Sequence, residues 1–394
     1  MTNSERTNAR YDFGELPIWK GVQSRPGYQA AGFALKLHPS GHATQASPQT
    51  QSLMHEAYAK AEYTFITNPP GASPWANRIG DAYFKRFDQM RPVFNNSRVV
   101  EIGAGSAYIA KHALQAYDID SYTIVDPAVR ESSDDPRLTV LQDYFHPETF
   151  PAESFDWALS FNCLEHVPDA LSFLHTVQAA LKPMGMLFFV FPDIEEQFAR
   201  GDVGALLHEH ISYFTRDSAE RLFVQAGFSV EMIDSRADEL TVLARKCAVQ
   251  ATPGRVDMAH AIGGTDLLPA SFDHMTRNVA TYREKIRADL HSGRKVAFQG
   301  ANNGLNNFLF MTGLGDSTNL AIFDGDQSKA GRFLGCSPHF IRHSEDPFYK
   351  DMDSVYVTAS TFFPEIRKFL VAQHGIADSA IQSVFGTPSR SSSI

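Results

Sequence analysis

Cysteine is scarce in this chain: three thiols in 394 residues, Cys163, Cys247 and Cys336, lie far apart and are odd in number. They form neither a disulfide framework nor a Cys-rich metal site. Long apolar runs are missing too, and none reaches the roughly 18 to 20 residues that a membrane helix needs. The stretch Met1 to Arg10 is polar and has no apolar secretory segment, so a cytoplasmic protein is expected. There is no basic surplus. A formal net charge of −10 speaks against a broad nucleic-acid surface, which depends on many Lys and Arg contacts. A small anionic acceptor needs only a few arginines and stays open. No heptad array, basic run or short tandem repeat stands out.

What is there is ordinary globular composition, with 43% hydrophobic and 20% charged residues. The length exceeds one ordinary core, which predicts several packed units. Residues 1–75, rich in Gly, Pro, Ser, Thr and Gln, are expected to form a small N-terminal unit of weak periodicity. Within it Pro39 to Gln51 reads as loop and Ser52 to Tyr63 as helix. Residues 76–248 alternate strand and helix. Helix is expected at Trp75–Met90, Tyr108–Tyr117, Ala170–Leu181 and Ser218–Ala226. Strand is expected at Arg98–Ile102, Ser121–Val125, Phe155–Ser160, Met186–Phe191 and Ser229–Ile233. Such alternation predicts an α/β fold with a doubly wound, mostly parallel sheet. Residues 249–394 read as a third unit, a smaller α/β domain of nucleotide-fold type: a long helix from Pro269 to Ser292, then Lys295–Gln299, a helix from Leu305, and strands at Leu320–Phe323, Ser354–Thr358 and Ile381–Val384.

The sharpest motif is Val99-Val100-Glu101-Ile102-Gly103-Ala104-Gly105-Ser106-Ala107. A strand ending in glycines lets backbone approach a ligand before a helix begins. About twenty residues on, the next strand ends in Asp126, placed to accept hydrogen bonds from ribose hydroxyls. A dinucleotide fingerprint would carry a third glycine where Tyr108 stands. S-adenosyl-L-methionine has no pyrophosphate and needs only the first two. Glu101, Gly103, Ala104, Gly105 and Asp126 are therefore read as cofactor-binding. Asp143 and Tyr144 are read as contacts to adenine, and Asn162 is delivered with Cys163, Leu164 and Glu165 to the carboxyl edge of the sheet.

Together these segments resemble the class I methyltransferases that use S-adenosylmethionine. Leu207-His208-Glu209-His210-Ile211-Ser212-Tyr213-Phe214 narrows the likeness to the sugar C-methyltransferases of deoxysugar biosynthesis, which act on nucleotide-linked 4-keto sugars. That family pairs the cofactor domain with an N-terminal zinc unit and a C-terminal nucleotide-fold domain. Gly300-Ala301-Asn302-Asn303-Gly304 and Asp324 to Gly331 look like weakened forms of the latter's motifs. The zinc cysteines are absent. His38, His42 and His55 do not replace them and read as surface histidines, so no metal is expected. The tyrosine before His-Glu-His is Leu207, and a usual glycine-rich turn appears as Asp238-Glu239-Leu240.

The resemblance implies His210 as the general base that generates an electron-rich acceptor, with Glu209 orienting it or binding the sugar and Tyr213 holding the acceptor oxygen. A histidine suits proton removal from carbon beside a ketone or from a hydroxyl alike. His208 reads as structural and Phe214 as packing. His166 either faces the acceptor or bonds backbone, and Arg200 and Arg216 are surface groups or diphosphate contacts. C-methylation of a nucleotide-linked keto sugar leads. O- or N-methylation of a sugar or other small metabolite is the second reading, and a non-catalytic cofactor-binding or partner subunit the third.

Overall fold

In a computed structural model the described residues are 10–38, 41–47, 52, 70–71, 74–90, 94–129, 131–236, 238–247 and 267–386. The expected helix at Ser52 to Tyr63 lies outside them, apart from Ser52 itself.

The centre is a seven-stranded sheet in the order β10-β11-β8-β7-β4-β5-β6. Its strands are β4 (Arg98–Ile102), β5 (Ser121–Val125), β6 (Leu138–Leu141), β7 (Phe155–Phe161), β8 (Leu181–Pro192), β10 (Phe228–Arg236) and β11 (Glu239–Lys246). The strands from β6 to β8 run parallel, and β11 is inserted antiparallel between β8 and β10. After Arg98, every residue of β4 is buried, as expected of a parallel strand covered on both faces. Two apolar cores lie on those faces. One gathers Val100, Leu174, Phe189 and Phe223, the other Tyr83, Ile109, Tyr122 and Phe188. Helices α1 (Pro74–Met90), α2 (Tyr108–Ala116), α3 (Ala170–Ala180) and α5 (Arg216–Gln225) supply the covering side chains. Thr215 and Ser218 close a capping box at the start of α5.

Strand β11 was not expected. The turn before it holds Asp238 at φ +65, so an aspartate adopts the left-handed conformation that glycine usually takes.

The N-terminal residues form strands where weak periodicity gave no signal. Strands β1 (Arg10–Pro17), β2 (Ala30–Leu37) and β3 (Ala43–Gln45) pair antiparallel, and β9 (Ser212–Tyr213) completes the sheet. The loop expected over Pro39 to Gln51 thus contains β3. All three residues of β3 are buried, so no polar alternation betrays it. His42, expected at the surface, is buried, packed between His38 at 4.5 Å and Phe214 at 5.0 Å between ring centroids.

The C-terminal unit is a five-stranded parallel sheet, β14-β13-β12-β15-β16, with the order reversing at β12. Its strands are β12 (Val296–Gln299), β13 (Leu320–Asp324), β14 (Ile341–His343), β15 (Ser354–Val357) and β16 (Ile381–Ser383). Helices α6 (Leu267–His291), α7 (Asn303–Thr312) and α8 (Phe363–His374) pack around it. One further core runs without a break from Phe33 and Leu35 through Phe198 and Tyr213 to Phe298 and Phe308. It joins the N-terminal sheet, the segment after β8 with its short helix α4 (Ile194–Ala199), and the C-terminal sheet.

Arg200 is neither a surface group nor free for a diphosphate. Its guanidinium grips Asp238 at 2.9 and 2.6 Å and reaches Asp202 at 3.4 Å and Ser360 at 3.2 Å, all buried or nearly so. Removing the cation leaves two carboxylates facing each other out of water. Arg200→Ala should therefore destabilise the chain by about 3 to 5 kcal/mol, measured by chemical denaturation. A loss below about 1 kcal/mol would show the cluster to be well hydrated.

Candidate functional site

The glycine turn sits where β4 ends, at the edge where the strand order reverses. Gly103 (φ +71) and Gly105 (φ +63) both take left-handed backbone. A Cβ on Gly103 would fall 2.5 Å from the Cys163 sulfur, so the next strand's end packs directly under the turn. Gly103, Ala104 and Gly105 are half-exposed between buried Ile102 and Ser106. Among its contacts, Asp126 accepts from the amides of Gly105 at 2.9 Å, Ala128 at 2.7 Å and Val129 at 3.1 Å. It is fully buried, so it braces the turn from below. Asp143 and Tyr144 are exposed just beyond β6, the strand paired with β5, which Asp126 follows directly.

Glu101 is buried and accepts from the Tyr122 hydroxyl at 2.6 Å. Burial, with Asp126 nearby, pushes its carboxyl up to about 8 against the help of that hydrogen bond. Asn162 takes φ +53, uncommon for a residue with a side chain. Its amide donates to the Tyr83 hydroxyl at 2.8 Å, while its buried Oδ1 has no hydrogen-bond partner. Tyr83 in turn donates to Glu239, which also meets Arg86 at 3.3 Å. These features fit S-adenosylmethionine: a glycine cradle, a buried carboxyl with a raised pKa, and an amide oxygen without a hydrogen-bond partner at the same sheet edge.

Four residues beyond Asn162, the chain meets the His-Glu-His segment. His166 Nδ1 bonds the Glu209 carbonyl at 2.9 Å, and its Nε2 lies 3.6 Å from the Glu165 carboxylate. The His166 and His210 rings stand edge to face at 5.1 Å. Burial lowers His166 to about 4. It takes His210 well below its ordinary value, with His166 adding to the effect. Burial pushes Glu165 up to about 8, reinforced by Glu209 and Glu239. One Glu165 oxygen has no hydrogen-bond partner. The ligand atoms of Glu165, His166 and His210 lie within 4.8 Å of one another, close enough to hold a cation.

Two expected residues stand elsewhere. Tyr213 is buried and donates its hydroxyl to the Leu207 carbonyl at 2.8 Å, so that group does not point at an acceptor. His208 is buried against Phe33, its Nε2 3.2 Å from the Ala31 carbonyl. Sequence reasoning missed Glu165, Tyr83 and Glu239. Only Glu165 left a trace, inside the segment that follows β7.

Residues 75–233 match the protein family described as "Methyltransferase domain". The chain is 27% identical over 214 residues to the C-methyltransferase NovU of Streptomyces niveus, covering 52% of this chain and 51% of that protein. It is 33% identical over 103 residues to the ubiquinone biosynthesis O-methyltransferase of Actinobacillus pleuropneumoniae serotype 7 (strain AP76), covering 23% of this chain and 44% of that protein. The chain thus spans about half the length of the curated relatives it matches. Among solved structures, the Burkholderia thailandensis 1,6-didemethyltoxoflavin-N1-methyltransferase aligns with a TM-score of 0.37 and 19% identity, over 57% of this chain and 99% of that one. Over residues 75–233 the chain is thus similar to methyltransferase domains.

Proposed function

We propose that this chain is an enzyme that moves the methyl group of S-adenosylmethionine to a small-molecule acceptor, and that the acceptor is a nucleotide-linked keto sugar methylated at carbon. The observation that carries the reading is one run of chain, residues 162–166. It packs under the glycine turn at Cys163 and meets His210 and Glu209 through His166. The likeness to a named C-methyltransferase supports carbon as the target.

The cofactor supplies an already electrophilic methyl, so the protein's work is alignment and proton removal. In this reading Glu101, Gly103, Ala104, Gly105, Asp126, Asp143, Tyr144 and Asn162 hold the cofactor. Burial and the neighbouring His166 favour the neutral form of His210 that a base requires. Its conjugate acid would form within reach of the Glu165 carboxyl, whose own proton loss would then be favoured by the new cation. Glu209 binds or orients the acceptor. A second reading, metal-assisted methylation of oxygen, is favoured by the closeness of Glu165, His166 and His210.

The reading is tested by incubating labelled cofactor with nucleotide-linked 4-keto and hydroxy sugars, with mass spectrometry locating the label. Incorporation as a C–C bond that survives acid and base supports it, and label only on oxygen would replace it with the second reading. His210→Ala should slow turnover by about 10²- to 10⁴-fold while cofactor affinity stays nearly unchanged. Exhaustive treatment with a chelator should leave turnover intact, whereas metal-dependent activity would reassign His210 as a ligand. Asp126→Ala should weaken cofactor binding by about 1 to 3 kcal/mol in calorimetry. Unchanged affinity would show that the turn holds the cofactor without this buried brace.

The protonation states make a further prediction. Glu101 and Glu165 hold protons in the folded chain up to about pH 8, against 4.5 ordinarily. The folded state therefore binds more protons, and the stability from this source falls as pH rises through that window. The lowered histidines act oppositely, but only below 6.5. Between pH 6.5 and 8 the melting temperature should decline with rising pH, and Glu165→Gln should flatten the decline. An identical slope in that variant would mean Glu165 is ionised when folded.

A further inference from the structure

The His-Glu-His segment has little regular structure of its own. It follows a short turn at Val203–Ala205 and ends at β9. Its carbonyls are met from two other units. From the N-terminal sheet, Gln45 Nε2 reaches the Leu207, His208 and His210 carbonyls at 3.1, 2.9 and 2.9 Å, its two hydrogens shared among the three. From α7 in the C-terminal unit, Asn307 Nδ2 donates to Val203 and Leu206 at 2.9 and 3.0 Å, and Asn303 Nδ2 to Gly204 and Leu206 at 3.1 Å each. All three side chains are buried. Each also leaves its amide oxygen buried without a hydrogen-bond partner. Flipping any amide would set oxygen against oxygen, so the donors can face only this way. Buried polar groups left half-satisfied are rare in folded proteins and call for a reason.

The same contact fills the C-terminal unit's glycine turn. A Cβ on Gly204 would lie 3.1 Å from the Gly304 Cα, so backbone rests on backbone where a nucleotide fold would receive a phosphate. Asp324, at the tip of β13, is occupied as well: it accepts from the Ala301 amide at 2.8 Å and from Lys329 at 2.9 Å.

We infer that Gln45, Asn303 and Asn307 are positioning residues that fix the Glu209–His210 wall of the site from two sides, the C-terminal nucleotide-fold turn serving as a brace for this segment rather than as a second nucleotide site. The inference rests on the proposed function only in taking that wall as the acceptor side. Each amide is donor where a carboxylate of the same shape would repel.

The test uses the full chain carrying Asn307→Asp, Asn303→Asp or Gln45→Glu. Amide hydrogen exchange is followed by mass spectrometry, with S-adenosylhomocysteine affinity measured in parallel. The expected result is exchange in residues 203–211 faster by about tenfold or more, the factor for losing one net hydrogen bond. Exchange over residues 98–106 and affinity for the homocysteine product should change less than about twofold. Gly204→Ala, which forces the two backbones apart without altering charge, should loosen the same segment and covers the case in which a carboxylate variant fails to fold. Unchanged exchange in 203–211 overturns the inference, and so does loosening spread evenly over the chain, which would mark a merely structural role. Binding of adenosine diphosphate to the wild-type chain with protection at Gly300–Gly304 would overturn the brace. Failure of the homocysteine product to bind the wild-type chain would instead sink the proposed function and leave the exchange result standing.

Discussion

The backbone of residues 203–210 is buried without a sheet or long helix to absorb its carbonyls, and the site's arrangement depends on how they are satisfied. A buried carbonyl left unpaired costs about 1 to 3 kcal/mol, and several in one short segment would expel it from the interior. Three amide side chains, the Tyr213 hydroxyl and His166 supply the missing donors. The flanking units thereby become part of the site although none of these amides is a chemical group of the reaction. The shared apolar core from Phe33 to Phe308 makes the arrangement rigid, because no unit can shift without opening it.

The central fold was legible because its signals are local. A β-branched strand, two glycines in sequence and an acidic residue one strand later mark a βαβ unit whatever surrounds it. Strand β4, helix α2 and strand β5 fall within a residue of where periodicity puts them. What escaped was set by tertiary partners. Strand β3 is three buried residues between two others, and β11 begins after an aspartate in a glycine's conformation. Neither carries a periodic pattern, and at 238 the turn is signalled only by an aspartate where glycine is usual.

The site divides in the same way. The glycine turn with Asp126, and His210 beside His166, stand in local motifs that the sequence displays within a few residues. Tyr83 and Glu239 do not. They lie 156 positions apart and matter only because helix α1 crosses the sheet edge beside Asn162. Arg200 misled for a related reason: arginines are usually exposed, and here two aspartates from neighbouring turns make burial tolerable. Gln45, Asn303 and Asn307 gave no signal, because amides are common and their partners here are main-chain atoms.

Burial explains why the two halves of the site suit one another. On the proposed cofactor side, burial holds Glu101 protonated up to about pH 8. On the proposed acceptor side, burial and the neighbouring His166 hold His210 in its neutral form. In the proposed complex a sulfonium beside Glu101 would favour the carboxylate, and an enolate forming beside His210 would favour the imidazolium. Each group is poised in its uncharged form by the same low-dielectric surroundings, so charge appears in the site only with the reacting partners that neutralise it. The conditions that make these groups costly in the resting fold therefore make them responsive in the complex, as expected when stability is given up locally for function.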